Sequence, residues 1–186
     1  MELSLKGISE PFAGMLLGLQ QITPREEMVI TQIPSPKGIA PESLALSIEV
    51  SHDLSSDHGA SRLVFCRDEK QPEGWHSEFR IIGYAKSPVE LEMARDEYSV
   101  NLPWEWLKDS LALHGAQFAH EAGTTTTVIS TGHGSLVGQS QHAEIEIRAS
   151  WAPVNFDLTT HLRGWIDLLA MISGLPPSEN EVARLA

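Results

Sequence analysis

One cysteine, Cys66, is present among 186 residues. A lone thiol cannot close an intramolecular disulfide, and it excludes a metal centre built from several thiolates. Basic residues are scarce as well: 13 Lys and Arg stand against 25 Asp and Glu, for a formal net charge of −12. A surface of that sign repels phosphate backbones and anionic headgroups, so neither nucleic acid nor a membrane is an expected partner. The nearest approach to a basic cluster, Arg62, Arg67, Lys70 and Arg80, is interrupted by Asp68, Glu69 and Glu78. Long apolar runs are missing. The stretch from Phe12 to Leu19 holds two glycines and is too short to span a bilayer. It follows no basic segment and precedes no small-residue cleavage site, so the expected location is the cytoplasm.

Familiar catalytic signatures are missing too. The sequence holds no glycine-rich phosphate loop, no Gly-x-Ser-x-Gly elbow, no kinase signature and no His-Glu-x-x-His helix. No catalytic residue and no cofactor is therefore assigned.

What is present describes an ordinary globular chain, 41% hydrophobic and 20% charged, read as a single domain over 1–186 with a loose acidic tail at 178–186. Ser9 reads as a helix cap and Pro11 as a first-turn residue, followed by Phe12, Met15, Leu16, Leu19 and Ile22 at helical spacing. Gly14 and Gly18 share a neighbouring strip where another element could come close. A short strand is expected at 28–33. Leu44, Leu46, Ile48 and Val50 then alternate with small or polar residues, the mark of a half-buried strand. Further strands are expected at 62–66 and 76–86, joined by a hairpin at 68–74, with Pro88 as the stop. Cys66 on the first of these reads as a small buried hydrophobe.

After an irregular acidic insert, Val89 to Asn101, a helix runs from Leu102 to His114, with Gly115 beyond it. Two strands follow at 117–121 and 124–131. The clearest strand is 142–151, where Ala143, Ile145, Ile147, Ala149 and Trp151 face one way and Glu144, Glu146, Arg148 and Ser150 the other. A last helix starts near Asp157 and stops at Gly174. The predicted fold is α+β: a mainly antiparallel sheet of about six strands, with helices packed on one face. The order strand-strand-strand-helix recurs, which suggests an internal duplication with halves 40–115 and 116–177.

Four features bear on function. His52-Asp53-Leu54-Ser55-Ser56-Asp57-His58 could gather two imidazoles and two carboxylates, but its serines and Gly59 point to an empty solvated loop, and no metal is assigned. His133, between Gly132 and Gly134, is a loop histidine able to move protons near neutral pH. Glu146 and Arg148 project from one strand face, where they can pair with each other or bind a ligand. Trp75, at the tip of a hairpin, is the tryptophan best placed to anchor an interface.

Several segments in order also resemble a known family. They are Ala40-Pro41, Arg62-Leu63-Val64, Trp75 with Phe79-Arg80, Trp104 with Trp106-Leu107, Gly115-Ala116, Gly123-Thr124, the run from Glu144 to Trp151 with Pro153, and Gly174-Leu175-Pro176-Pro177. Together they resemble the actinobacterial family 3000 among the domains of unknown function, over Phe12 to Pro177. The chain departs from the pattern at Gly132-His133-Gly134-Ser135, where an aromatic residue is expected before the glycine. The resemblance implies a bacterial cytoplasmic protein and no activity, cofactor or catalytic residue.

Two classes of function remain. One is a non-catalytic protein-binding or regulatory module, with a homodimer or another protein as partner. The other is a small-molecule-binding protein or enzyme using the polar face of 142–151, with Glu146, Arg148 and His133 around a pocket closed by the Val89–Asn101 insert. The charge balance carries a prediction of its own. Random single- or double-stranded oligonucleotides should bind no tighter than about 1 μM at physiological salt, measured by fluorescence anisotropy.

Overall fold

Alternating apolar residues put one face of each strand against helices and leave the other facing out. The computed structural model describes residues 1–50, 59–137 and 141–176. The His52–His58 loop and the 178–186 tail lie outside the described residues. Six strands form one sheet: β1 (Met28–Ile33), β2 (Glu42–Val50), β3 (Ala60–Arg67), β4 (Phe79–Val89), β5 (Phe118–Ser130) and β6 (His142–Pro153). Their spatial order is β1-β2-β3-β4-β6-β5, and every pairing is antiparallel. The helices are α1 (Glu10–Leu17), the short α2 (Leu91–Arg95), α3 (Leu102–Leu113) and α4 (Leu158–Ile172). One hydrophobic cluster joins Phe12 and Leu16 of α1, Leu107 and Leu111 of α3, and Leu162 and Trp165 of α4 to Leu46, Leu63, Ile81, Ile147 and Trp151 of the sheet. The α+β architecture with helices on one face is the one expected from the alternation.

At its centre two fully buried tryptophans meet, Trp151 of β6 and Trp165 of α4, with ring centroids 5.9 Å apart. A buried indole N–H needs an acceptor. Trp165 Nε1 donates to Ser61 Oγ at 3.2 Å, and Trp151 Nε1 donates to His161 Nδ1 at 3.1 Å. The sheet beneath them is kept thin. Gly83, Ala149 and Gly123 stand in register on β4, β6 and β5. A β-carbon on Gly83 would lie 2.4 Å from the Trp165 ring, and one on Gly123 would lie 2.5 Å from Trp104 and 2.4 Å from the Arg148 carbonyl oxygen. Neither glycine tolerates a side chain where a tryptophan presses on the backbone.

Four expectations are corrected. The strands expected at 117–121 and 124–131 are one strand, β5, with a bulge between Ala119 and Ala122. The bulge absorbs the misfit, and Gly123, in the gap left between the two expected strands, makes room for Trp104. The second half therefore carries two strands against three in the first, and the duplication of 40–115 in 116–177 is not matched. Pro88 does not end β4, which runs on to Val89. Ser9 starts α1 by position, yet its side chain caps nothing. Its hydroxyl donates to Glu42 Oε2 at 3.0 Å and accepts from Arg67 Nη1 at 2.8 Å, inside a cluster where Arg67 also holds Glu42, Glu69 and Glu78. Of the two glycines on the first helical segment, Gly18 meets Thr159 of α4, while Gly14 faces open space.

Two tests follow from the core. Trp165→Ala should cost about 3–5 kcal/mol in chemical denaturation, as for a buried large aromatic. Gly83→Ala should destabilise the native chain but cost far less when combined with Trp165→Ala, because the clashing ring is then gone. The second test concerns acid. Burial pushes the His161 imidazole down to about 4, against the opposing pull of Asp157 and the Asn155 backbone. In the unfolded chain the same group titrates near 6.5. Between those values the unfolded state binds the extra proton, so stability should fall as pH drops from about 6.5 to about 4. A His161→Gln variant, whose side chain does not titrate, should lack this component of the stability–pH curve.

Candidate functional site

The outward face of the sheet is the surface that the helices leave available. Its chemistry follows from the strand register. Ile82, Ser150 and Ala122 form one row across β4, β6 and β5; Tyr84, Arg148 and Thr124 form the next; Lys86, Glu146 and Thr126 a third. Cross-strand neighbours in such rows are close enough to interact. Arg148 places its guanidinium 5.2 Å from the centroid of the Tyr84 ring and pairs with Glu146 at 3.1 Å. Lys86 pairs with Glu144 at 3.3 Å. Burial, and then the charge and hydrogen bond of Glu146, push the Tyr84 hydroxyl up from its ordinary value. Between Ile82, Tyr84, Ala122 and Ser150 lies a hollow of about 430 Å³, wide open to solvent.

The structure brings Glu146 and Arg148 together on this face and leaves His133 elsewhere. Arg148 is opposite Thr124, whereas Ser130, where β5 ends, is opposite His142. Six residues of strand separate the two positions, roughly 20 Å, and the exposed His133 lies beyond Ser130. The Val89–Asn101 insert does not close over the Glu146–Arg148 pair. Thr125, in register with the core residue Ile147, donates its hydroxyl to the Val100 carbonyl at 2.7 Å, which puts the insert on the helical face. Among the described residues these three are not gathered around one pocket under that insert. Glu146 and Arg148 are held by each other and by Tyr84, an arrangement that stiffens a polar surface and aims neither group into an enclosed space.

Trp75 is half-buried. It lies over Ala45, Val64 and Cys66, together with Ile33, Ile39, Ala40 and Ile82, and so covers the β2–β4 corner of the same face. Beneath it burial pushes the Cys66 thiol up to about 12, which keeps it protonated and unreactive near neutral pH.

The margin of the face was less legible in the sequence. Among the described residues β5 pairs only with β6, and none of its thirteen residues is buried. From Gly123 to Ser130 it has neither charge nor proline, and Val128 and Ile129 are 37% and 42% exposed. The other margin, β1, is six residues long, and its Gln32 amide both accepts from and donates to the Ser4 backbone. The signal for β5 was the run Thr124-Thr125-Thr126-Thr127-Val128-Ile129, seen only as strand propensity.

Over residues 8–183 the chain matches the family described as Protein of unknown function (DUF3000). The chain belongs to this family. Its segments from Ala40-Pro41 to Gly174-Leu175-Pro176-Pro177 all fall within the match. No curated protein and no solved structure matches the chain. No helix among the described residues is long and apolar enough to cross a membrane. Among the same residues no group of three or more His, Cys, Asp or Glu is placed to hold a metal ion.

Proposed function

We propose that this is a non-catalytic protein-binding module acting in the cytoplasm, and that its partner through the β5 margin is a second copy of the chain. The observation that carries the proposal is the long, uncharged outer side of β5, which pairs with no strand among the described residues. A strand margin presents unpaired N–H and C=O groups, and proteins normally guard it with lysine, proline, brevity or cover. From Gly123 to Ser130 β5 has none of the first two, and it is the longest strand of the sheet. Self-pairing also suits its sequence. Two copies running antiparallel about the Thr125–Thr126 bond set Thr124 opposite Thr127 and Thr125 opposite Thr126, so threonine meets threonine across a twofold axis. In a chain of net charge −12, this is a place where two copies can meet without bringing like charges together.

The alternative, a small-molecule site or enzyme on the polar face of 142–151, draws less support. Its hollow is open, and His133 stands away from it.

Light scattering on the purified protein should give twice 20.4 kDa. Association should tighten as salt screens the acidic surfaces. Thr126→Lys/Val128→Lys puts two cations at the margin, on the face that carries Glu146 and Glu144, and should yield a monomer with stability changed by under about 1 kcal/mol. A wild-type monomer at high concentration, or a dimer indifferent to this variant, would overturn the proposal.

A further inference from the structure

Three non-glycine residues among those described hold a left-handed backbone: Gln71 with φ 49°, His76 with φ 53° and His120 with φ 55°. That conformation is uncommon for residues with a β-carbon and persists where the surroundings impose it. All three line one cleft of about 360 Å³, at the end of the sheet where the β3–β4 hairpin meets the start of β5. His120 belongs to the bulged stretch of β5, and bulges re-aim side chains. His76 follows a single 3-10 turn at Glu73–Trp75. The two turned backbones bring imidazoles from distant parts of the chain to a centroid separation of 4.7 Å, tilted by 33°.

The bulge is braced from behind. Arg80, only 6% exposed, donates from Nη1 to the His120 carbonyl at 2.8 Å and from Nη2 to Ser150 Oγ at 2.8 Å. A buried guanidinium tied to the His120 carbonyl holds the bulged backbone in place. The opposite wall is apolar. Phe79 and Phe156 meet edge to face with centroids 5.4 Å apart, and Phe156 remains 60% exposed. The one carboxylate of the cleft, Glu78, is already bonded to Arg67 Nε at 2.5 Å.

We propose that this cleft binds a small organic carboxylate with an aromatic body. The ring would lie against Phe79 and Phe156, and the carboxylate would accept hydrogen bonds from the imidazoles of His76 and His120 and the amide of Gln71. The neutralised Glu78 leaves a rim of donors, which selects an acceptor; the phenylalanine wall selects an aromatic body. The volume falls within the range of small-molecule sites.

The test uses 1-naphthoate as probe, with uncharged 1-naphthamide and inorganic phosphate as comparisons, read by NMR of the histidine ring protons in the full chain. 1-Naphthoate should shift the His76 and His120 resonances together and saturably below about 10 mM, tenfold above a Kd of ~1 mM. Phosphate should not, and naphthamide should bind at least about tenfold more weakly. His120→Gln should weaken binding at least about fivefold, and Phe156→Ala, at an exposed position, should do the same without altering the melting temperature by more than a few degrees. Equal response to naphthamide, a response to phosphate alone, or no saturable shift in folded protein would each overturn the proposal. The Thr126→Lys/Val128→Lys variant should bind 1-naphthoate as the wild type does, so this result stands apart from the oligomeric state.

Discussion

The contact of Trp165 with the bare backbone at Gly83 sets the spacing of the molecule. A helix packs over a sheet at a distance fixed by the side chains between them, and here a fully buried indole is admitted because the strand beneath has no side chain. The same device recurs at Gly123 under Trp104. Between them Ala149 carries only a methyl group, so a trough of small residues crosses β4, β6 and β5. Both buried indoles have their N–H groups bonded, one to Ser61 and one to His161. The polar cost of burying two large rings is thus offset inside the core.

That depth on one side explains the bareness of the other. The main apolar cluster of the strands is used against α1, α3 and α4. Away from the Trp75 corner the outward face of β4, β6 and β5 carries mainly threonine, serine, alanine, paired charges and the Tyr84–Arg148 stack. Only the Trp75 corner carries an apolar cover of its own. The face is polar and shallow, and both proposed sites lie at its boundaries: the β5 margin on one side, the cleft of His76 and His120 at one end.

Sequence patterning made the core legible and the boundaries illegible, for a physical reason. Period-two alternation in 43–50 and 142–151 and the apolar stripe of α4 report one face against solvent, which is a local property. Gly123 fell in the gap between two expected strands, while its role depends on a tryptophan in α3. Ser9 carried a capping residue's identity, but its hydroxyl is engaged by Glu42 and Arg67, distant in sequence. Trp75 read as a projecting anchor until the small residues of β2 and β3 beneath it came into view. Glu146 and Arg148 were rightly placed on one face, since strand alternation alone decides that. His133 could not be positioned, because the length of β5 carries it away. His76 and His120 come together only through a hairpin, a bulge and a buried arginine, and nothing local to either marks them.

The strand order also dictates a sequence of events during synthesis. β1 to β4 form a meander of neighbours and can pair as they leave the ribosome. β5 and β6 pair with each other as a later hairpin. The seam between these two halves is β4 against β6, bridged by a long crossing through α2 and α3, and closing such a separation is the slow kind of step in sheet formation. Trp165, which seals the seam by pressing on Gly83, comes later still, on α4 after β6. A nascent meander therefore waits with one side of β4 unpaired until β6 has emerged, so a strand that is interior in the finished sheet is an open edge while it is being made.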